Sequence, residues 1–304
     1  MEAFVPGIYP RSEGLVQATR DLDRGRTTQE AVDAQVDRDL QQLVAAQQEA
    51  GLDLLSDGML GWQDLFRPLV EAADGLERGA LTRFLDTNTF YRAPHAEGSG
   101  PGLTARLTAP LDERYVTPLR GERLVTLPSP FALSFGTGVD PRTMAEGVLK
   151  PQIDALGAEL VVLNEPFLAR EPDADLDGLA AALEILHGGP PLALWITFGD
   201  ASRLLEQGLA ELPVDAIGID FYSTSAEAVP DGFGKHLLAG VLDARNSLLE
   251  DPREIAAFAA QLEQRVERIA LVPNGDLQYV SEPIAREKIA RLGQAKTTRA
   301  EEAA

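Results

Sequence analysis

Apolar residues in this chain gather into short β-branched or leucine-rich runs separated by longer segments with helical spacing. Eight such runs are candidate strands: 4–9 (FVPGIY), 52–57 (LDLLSD), 123–128 (RLVTLP), 159–165 (ELVVLNE), 192–198 (LALWITF), 216–222 (AIGIDFY), 236–243 (HLLAGVLD) and 269–274 (IALVPN). Short apolar runs alternating with segments of period 3.6 are the pattern of parallel β/α units. Between the first two runs, Val32, Val36, Leu40, Leu43 and Val44 form one apolar stripe, Thr27 and Glu30 have capping-box spacing, and Gly51 ends the helix. Helical spacing returns at 142–156, 176–187, 200–210, 252–267 and 282–292.

Eight strands with intervening helices either close into a (β/α)8 barrel or stay open as a doubly wound sheet. No GxGxxG turn follows the first run, which favours the barrel over the dinucleotide-binding alternative. The expected architecture is an α/β fold, a single-domain (β/α)8 TIM barrel over residues 1–295. It carries an irregular glycine- and proline-rich excursion at about 75–122, in which TARLTAP is an extra or substitute strand. Residues 296–304 are expected to form a frayed tail.

Composition narrows the chemistry. The 304 residues carry 48 acidic against 27 basic side chains, a formal charge of −21. Such a field repels phosphate backbones and anionic lipid heads, so neither nucleic acid nor a membrane surface is expected as a partner. The chain has no cysteine, which removes disulfides, thiolate zinc sites, iron–sulfur clusters and cysteine nucleophiles. There is no basic-then-apolar leader at the N-terminus and no apolar run approaching about 18 residues, so a soluble cytoplasmic protein is expected. His95, His187 and His236 lie in the excursion, at a helix end and at a strand start, and no P-loop, nucleophile elbow or HExxH pattern is present.

In a barrel, function collects where the loops leave the carboxyl ends of the strands. Those ends offer Tyr9, Asp57, Asn164 with Glu165, Trp195 with Thr197, Asp220 with Tyr222, Asp243, and Asn274 with Asp276. Glu165 follows an apolar run and precedes proline, which stops the strand and sets the acid at the rim as a candidate base; its plainer role is a hydrogen-bond acceptor that closes the barrel. Asp220 is the second candidate, with a helix cap or a strand-end ion pair as the alternative. Asp57 precedes glycine, a sequence that also marks ordinary turns.

The ordered set GIYPRSEG, DLDRG, AGLDLLSDGMLGWQDLF, VVLNEPFLA, LALWITF, IGIDFYS, GVLDARNSLLEDPREI and LVPNGDL resembles the C-terminal catalytic barrel of cobalamin-independent methionine synthase, within the uroporphyrinogen-decarboxylase/methionine-synthase-like superfamily. The resemblance covers nearly the whole chain. It implies zinc-dependent transfer of a methyl group to the thiol of homocysteine. The family's His-x-Cys pair falls on Trp195 and Thr197, its glutamate on Asp220 and its last cysteine on Gly275. Two carboxylates that would hold the amino group fall on Met59 and Asn164, whereas Asp57, Glu165, Asp243 and Asn274 keep the family's residues.

Zinc is held by soft ligands that stabilise a thiolate, and Trp195, Thr197 and Gly275 supply none. The reading is therefore a methionine-synthase-like methyltransferase or one-carbon enzyme without the thiolate zinc site, with no metal or cofactor expected. Glu165 and Asp220 are the candidate catalytic groups. Tyr9, Asp57, Met59, Asn164, Trp195, Thr197, Tyr222, Asp243 and Asn274 are the candidate substrate contacts. Two alternatives stay open: a barrel enzyme acting on another small carboxylated or aromatic substrate held by Trp195, Tyr222 and Arg245, and a non-catalytic binding or regulatory homologue. The expected partner is a small-molecule substrate; a methyl-donor protein or a second copy of the chain stays open.

Overall fold

A computed structural model describes residues 1–302. The strands are β1 (Glu2–Ala3), β2 (Ala73–Asp74), β3 (Leu76–Arg83), β4 (Phe90–Ala96), β5 (Arg106–Leu107), β6 (Leu124–Pro128), β7 (Leu160–Glu165), β8 (Leu192–Ile196), β9 (Ala216–Asp220), β10 (His236–Leu242) and β11 (Ile269–Pro273). Seven of them form one parallel sheet in the order β1-β11-β10-β9-β8-β7-β6. The last six apolar runs of the sequence correspond to β6–β11. The fold is mixed α/β.

The first two runs depart from expectation. Of the first run only Phe4 pairs, through a bridge, because Pro6 lacks an N–H and Gly7 turns the backbone to φ +84°; the strand β1 (Glu2–Ala3) lies just before it. The second contributes only Leu54, bridged to Phe4, and Leu55, bridged to Arg123. Both edges of the sheet thus reach the same two residues, which requires the sheet to curl.

Side chains alternate across each strand. Phe4, Leu124, Leu160, Val162, Ala193, Trp195, Ala216, Leu238, Ala270 and Val272 pack together as the lining of the concave face. The opposite face carries Val161, Leu163, Leu194, Ile196, Ile217 and Ile219 into the larger core shared with the helices. By the same alternation Asn164, Thr197, Asp220 and Asn274 continue the concave rows at the carboxyl ends, whereas Glu165 belongs to the helix-facing row.

The excursion is ordered. β3 and β4 form an antiparallel hairpin, and β5, inside the TARLTAP segment, pairs with β2 rather than joining the main sheet. A helix at Glu13–Asp23, capped by Ser12, is an addition to the sequence reading. The next helix, Gln29–Glu49, has Thr28 rather than Thr27 at its cap position, with no side-chain capping bond. The helical segment at 142–156 is interrupted by a π-helical turn at Ala145–Leu149. The expected frayed tail is helical through Glu302: Glu282–Glu302 is one helix, tied down by Lys296 to Asp53 and Arg299 to Glu263. Residues 303 and 304 of that tail lie outside the described residues. No helix among the described residues is long and apolar enough to cross a membrane.

Candidate functional site

Loops leaving the carboxyl ends of five adjacent strands converge on a cavity of about 440 Å³. Arg170 comes from the loop after β7, Phe198 and Gly199 from after β8, Ser223 from after β9, Arg245 from after β10, and Gln278 and Tyr279 from after β11. The turn of the β3–β4 hairpin, Asp86 to Thr89, supplies the remaining wall. A second cavity of about 460 Å³, lined among others by Tyr9, Arg11, Ser12, Trp62 and Glu282, shares Thr89 and Gln278 with the first. The two adjoin at the mouth, where the fold predicts a site.

Two hydrogen-bonded networks underlie the first cavity. Asp220 is fully buried; one oxygen accepts from Tyr222 N (2.9 Å) and Asn274 Nδ2 (3.0 Å), the other from Ser223 Oγ (3.0 Å) and Arg245 Nη2 (2.6 Å). Asn274 Nδ2 also reaches Asp243 Oδ1 at 3.4 Å, and its Oδ1 accepts from Ala244 N. Arg245 is completed by Asp243 at 3.6 Å and by the ring of Phe198, whose centroid lies 5.1 Å from the guanidinium carbon. Asp220, Asp243 and Asn274 are thus assembled around one arginine.

The second network joins Thr197, Asn164 and Asp276. Thr197 Oγ1 donates to Asn164 Oδ1 (3.1 Å), and Asn164 Nδ2 donates to Asp276 Oδ1 (3.1 Å), which also accepts from Ile8 N (3.0 Å). The other carboxylate oxygen meets Gln278 Nε2 and Tyr279 Oη, both at 3.4 Å. Burial pushes the Asp276 carboxyl up to about 6 despite these donors.

Glu165 stands apart from both networks. One oxygen accepts from Phe167 N (2.8 Å) and Leu168 N (2.9 Å), and the other pairs with Ser129 Oγ. Burial raises its carboxyl to about 7. It lines neither cavity; it holds the 3-10 turn Leu168–Arg170 that delivers Arg170 to the mouth.

Trp195 lies one layer beneath the mouth and is fully buried. Its ring fills space left by two glycines: a Cβ on Gly218 would come within 2.4 Å of Trp195 Cδ1, and one on Gly7 within 3.0 Å of its Cζ3. Its Nε1–H has no hydrogen-bond partner among the described residues. The tryptophan forms the floor under the site and does not occupy the cavity.

The other expected contacts scatter. Tyr9 lines the second cavity, where burial and Glu282 raise its hydroxyl's titration point. Asp57 accepts from Met59 N and Thr117 N, and Met59 is buried with φ +50°, so both build the local turn and line neither cavity. Tyr222 is half-exposed and faces a separate cavity against Glu250 and Phe258. Gly275 lies beside Thr197 and Ala244, which a Cβ there would meet at 3.7–4.0 Å, and lines neither cavity. Arg170, Phe198, Tyr279 and the hairpin turn are additions to the sequence reading. An arginine ending the segment after VVLNEPFLA was the one visible sign of Arg170; the hairpin turn, remote in sequence, gave none.

Residues 146–267 match the family model described as the N-terminal domain of cobalamin-independent synthase, not the C-terminal barrel suggested by the sequence motifs. A 5-methyltetrahydropteroyltriglutamate–homocysteine methyltransferase of Mycobacterium tuberculosis (strain H37Rv) is 30% identical over 291 residues, covering 79% of this chain and 37% of that protein. The Mycobacterium leprae protein of the same name is 29% identical over 290 residues, with the same coverage. The chain therefore spans little more than a third of the length of the curated relatives it matches. Among solved structures, a B12-independent methionine synthase from Shewanella sp. W3-18-1, in complex with selenomethionine, superposes with a TM-score of 0.74 at 15% identity, covering 99% of this chain and 98% of that one. A methyltransferase from Methanosarcina mazei superposes with a TM-score of 0.54, also at 15% identity, covering 99% and 94%. At that identity the two structures speak to fold alone.

Proposed function

The chain belongs to the cobalamin-independent methionine synthase family, and from that premise we propose that it is a methyl-transfer or related one-carbon enzyme working in the cleft at its sheet mouth. The observation that carries this reading is the cleft itself. Five strand-end loops and a hairpin enclose it, and the buried Trp195 lies below without filling it. A non-catalytic homologue packed shut by Trp195 and Met59 would have no such space. We read residues 1–295 as one barrel unit, with Leu54 and Leu55 taking the eighth strand position between β1 and β6.

The family's zinc does not fit the residues present. Trp195 points into the concave core, Gly275 has no side chain, and Thr197 Oγ1 is committed to Asn164. Both Asp220 oxygens are engaged, one of them by a guanidinium at 2.6 Å, which is where a bound cation would have to sit. Among the described residues no group of three or more His, Asp or Glu side chains is arranged to hold a metal ion. No step of the reaction is routed through zinc, and Glu165 and Asp220 serve as positioning residues for the Arg170 turn and for Arg245.

The relatives are named for a donor that carries a triglutamate, and Arg11 is suited to such a polyanion. It lines the second cavity and makes no hydrogen bond or ion pair among the described residues. The donor's tail would then lie in the Arg11 cavity and its methyl-bearing end toward the Arg245 cavity. Incubating the full chain with methyltetrahydropteroyl triglutamate and homocysteine, with and without added zinc, tests the reading. The expected result is donor binding weakened at least about tenfold by Arg11→Ala, together with demethylation that zinc does not accelerate. Absence of donor binding at any concentration, or strict dependence of turnover on zinc, overturns it.

A further inference from the structure

The chain carries a charge of −21, yet two arginines line one small cavity at the sheet mouth. Arg245 is held from beneath by the fully buried Asp220 and from the side by Asp243, and its guanidinium lies over the ring of Phe198. These contacts use Nη2 and Nε, and Nη1 has no hydrogen-bond partner among the described residues. Among the described residues Arg170 is held at Nη1 by Asp86 alone, and that carboxylate is 77% exposed. Ion pairs so open to water contribute little, so a ligand carboxylate can take the place of Asp86. Tyr279 meets Phe198 edge-on, with ring centroids 5.9 Å apart, and completes an aromatic wall beside the arginines.

We propose that this cavity binds a small planar carboxylate, its anionic end between Arg170 and Arg245 and its flat body against Phe198 and Tyr279. A guanidinium fork matches a carboxylate in two hydrogen bonds, and the cavity volume of about 440 Å³ admits a ring-sized ligand. This names the ligand class of the cleft and rests on the reading of that cleft as the working site. It also gives Arg245 the electrostatic place that a metal would take. When the ligand enters, Asp86 is released from Arg170, and the hairpin turn carrying Asp86 to Thr89 loses its ion-pair tie to the loop after β7.

Benzoate and its neutral isostere benzamide, titrated into the full chain and followed by calorimetry and thermal shift, test the proposal. Benzoate is expected to bind and raise the melting temperature, and benzamide to bind at least about tenfold more weakly. Arg170→Gln, at an exposed ion pair that the fold does not need, is expected to weaken benzoate about tenfold or more. Arg245→Lys, with folding checked by circular dichroism, is expected to weaken it while keeping the charge over Asp220. Equal binding of benzoate and benzamide, an unchanged affinity in Arg170→Gln, or no benzoate binding at about 50 mM overturns the proposal. Binding is read without turnover, so a chain that binds benzoate but moves no methyl group counts against the proposed function alone.

Discussion

At the residue scale, Trp195 shows what a sequence conveys and what it withholds. Its place in a buried strand was legible from LALWITF, and its coincidence with a family metal ligand came from the resemblance. That it forms a floor rather than a plug depends on Gly7 and Gly218, which lie far away in sequence and make room for the ring. Likewise Glu165 was legible as a strand-end acid at the rim, but its burial and its partners Ser129, Phe167 and Leu168, which tie it to the turn after β7, were not. The unpaired indole N–H leads to a stability prediction. Trp195→Ala should cost about 3–5 kcal/mol in urea denaturation, the usual range for emptying a core tryptophan site. Trp195→Phe should cost far less, about 1–1.5 kcal/mol, because the volume it loses is offset by removing an unsatisfied buried donor. A Phe variant as unstable as the Ala variant would refute that offset.

At the element scale, β6–β11 were legible because fully buried parallel strands read as nearly continuous apolar runs. The strand ends followed from them, and with them Asp220, Asp243 and Asn274. The first two runs failed for identifiable reasons: Pro6 and Gly7 truncate one, and the other meets each neighbour through a single bridge. The β3–β4 hairpin escaped notice because its strands are largely exposed and show no apolar alternation. Register between β8 and β9 pairs Trp195 with Gly218, so these strands cannot both carry large concave-facing side chains at that level. Gly218→Ala, whose Cβ would lie 2.4 Å from Trp195 Cδ1, should destabilise by about 1–3 kcal/mol. In a Trp195→Ala background the same change should cost at least about 1 kcal/mol less, and additive effects in this double-mutant cycle would refute the packing conflict.

At the scale of the whole molecule, the acidic balance and the buried carboxyls act in the same direction. Glu165 is raised from 4.5 to about 7 and Asp276 from 3.8 to about 6, both because burial disfavours the charged form. A raised carboxyl holds its proton in the folded state after the unfolded chain has released it. The folded protein therefore binds more protons between about pH 4 and 7, and stability falls as pH rises through that window. Several exposed carboxylates, Asp112 and Asp140 among them, are shifted downward by Arg114 and Thr143, which works in the opposite sense but is screened by solvent. Self-repulsion of a chain at −21 also grows as the remaining carboxyls ionise. The melting temperature should accordingly be higher near pH 5 than near pH 8, by on the order of several °C. Salt separates the two causes, because ionic strength screens surface repulsion and leaves buried groups nearly untouched. At about 0.5 M salt the fall that persists belongs to the buried carboxyls. Glu165→Gln, which keeps acceptors for Phe167 and Leu168 and donates to Ser129, should flatten it. A slope that vanishes with salt and is indifferent to Glu165→Gln would assign the whole effect to surface charge.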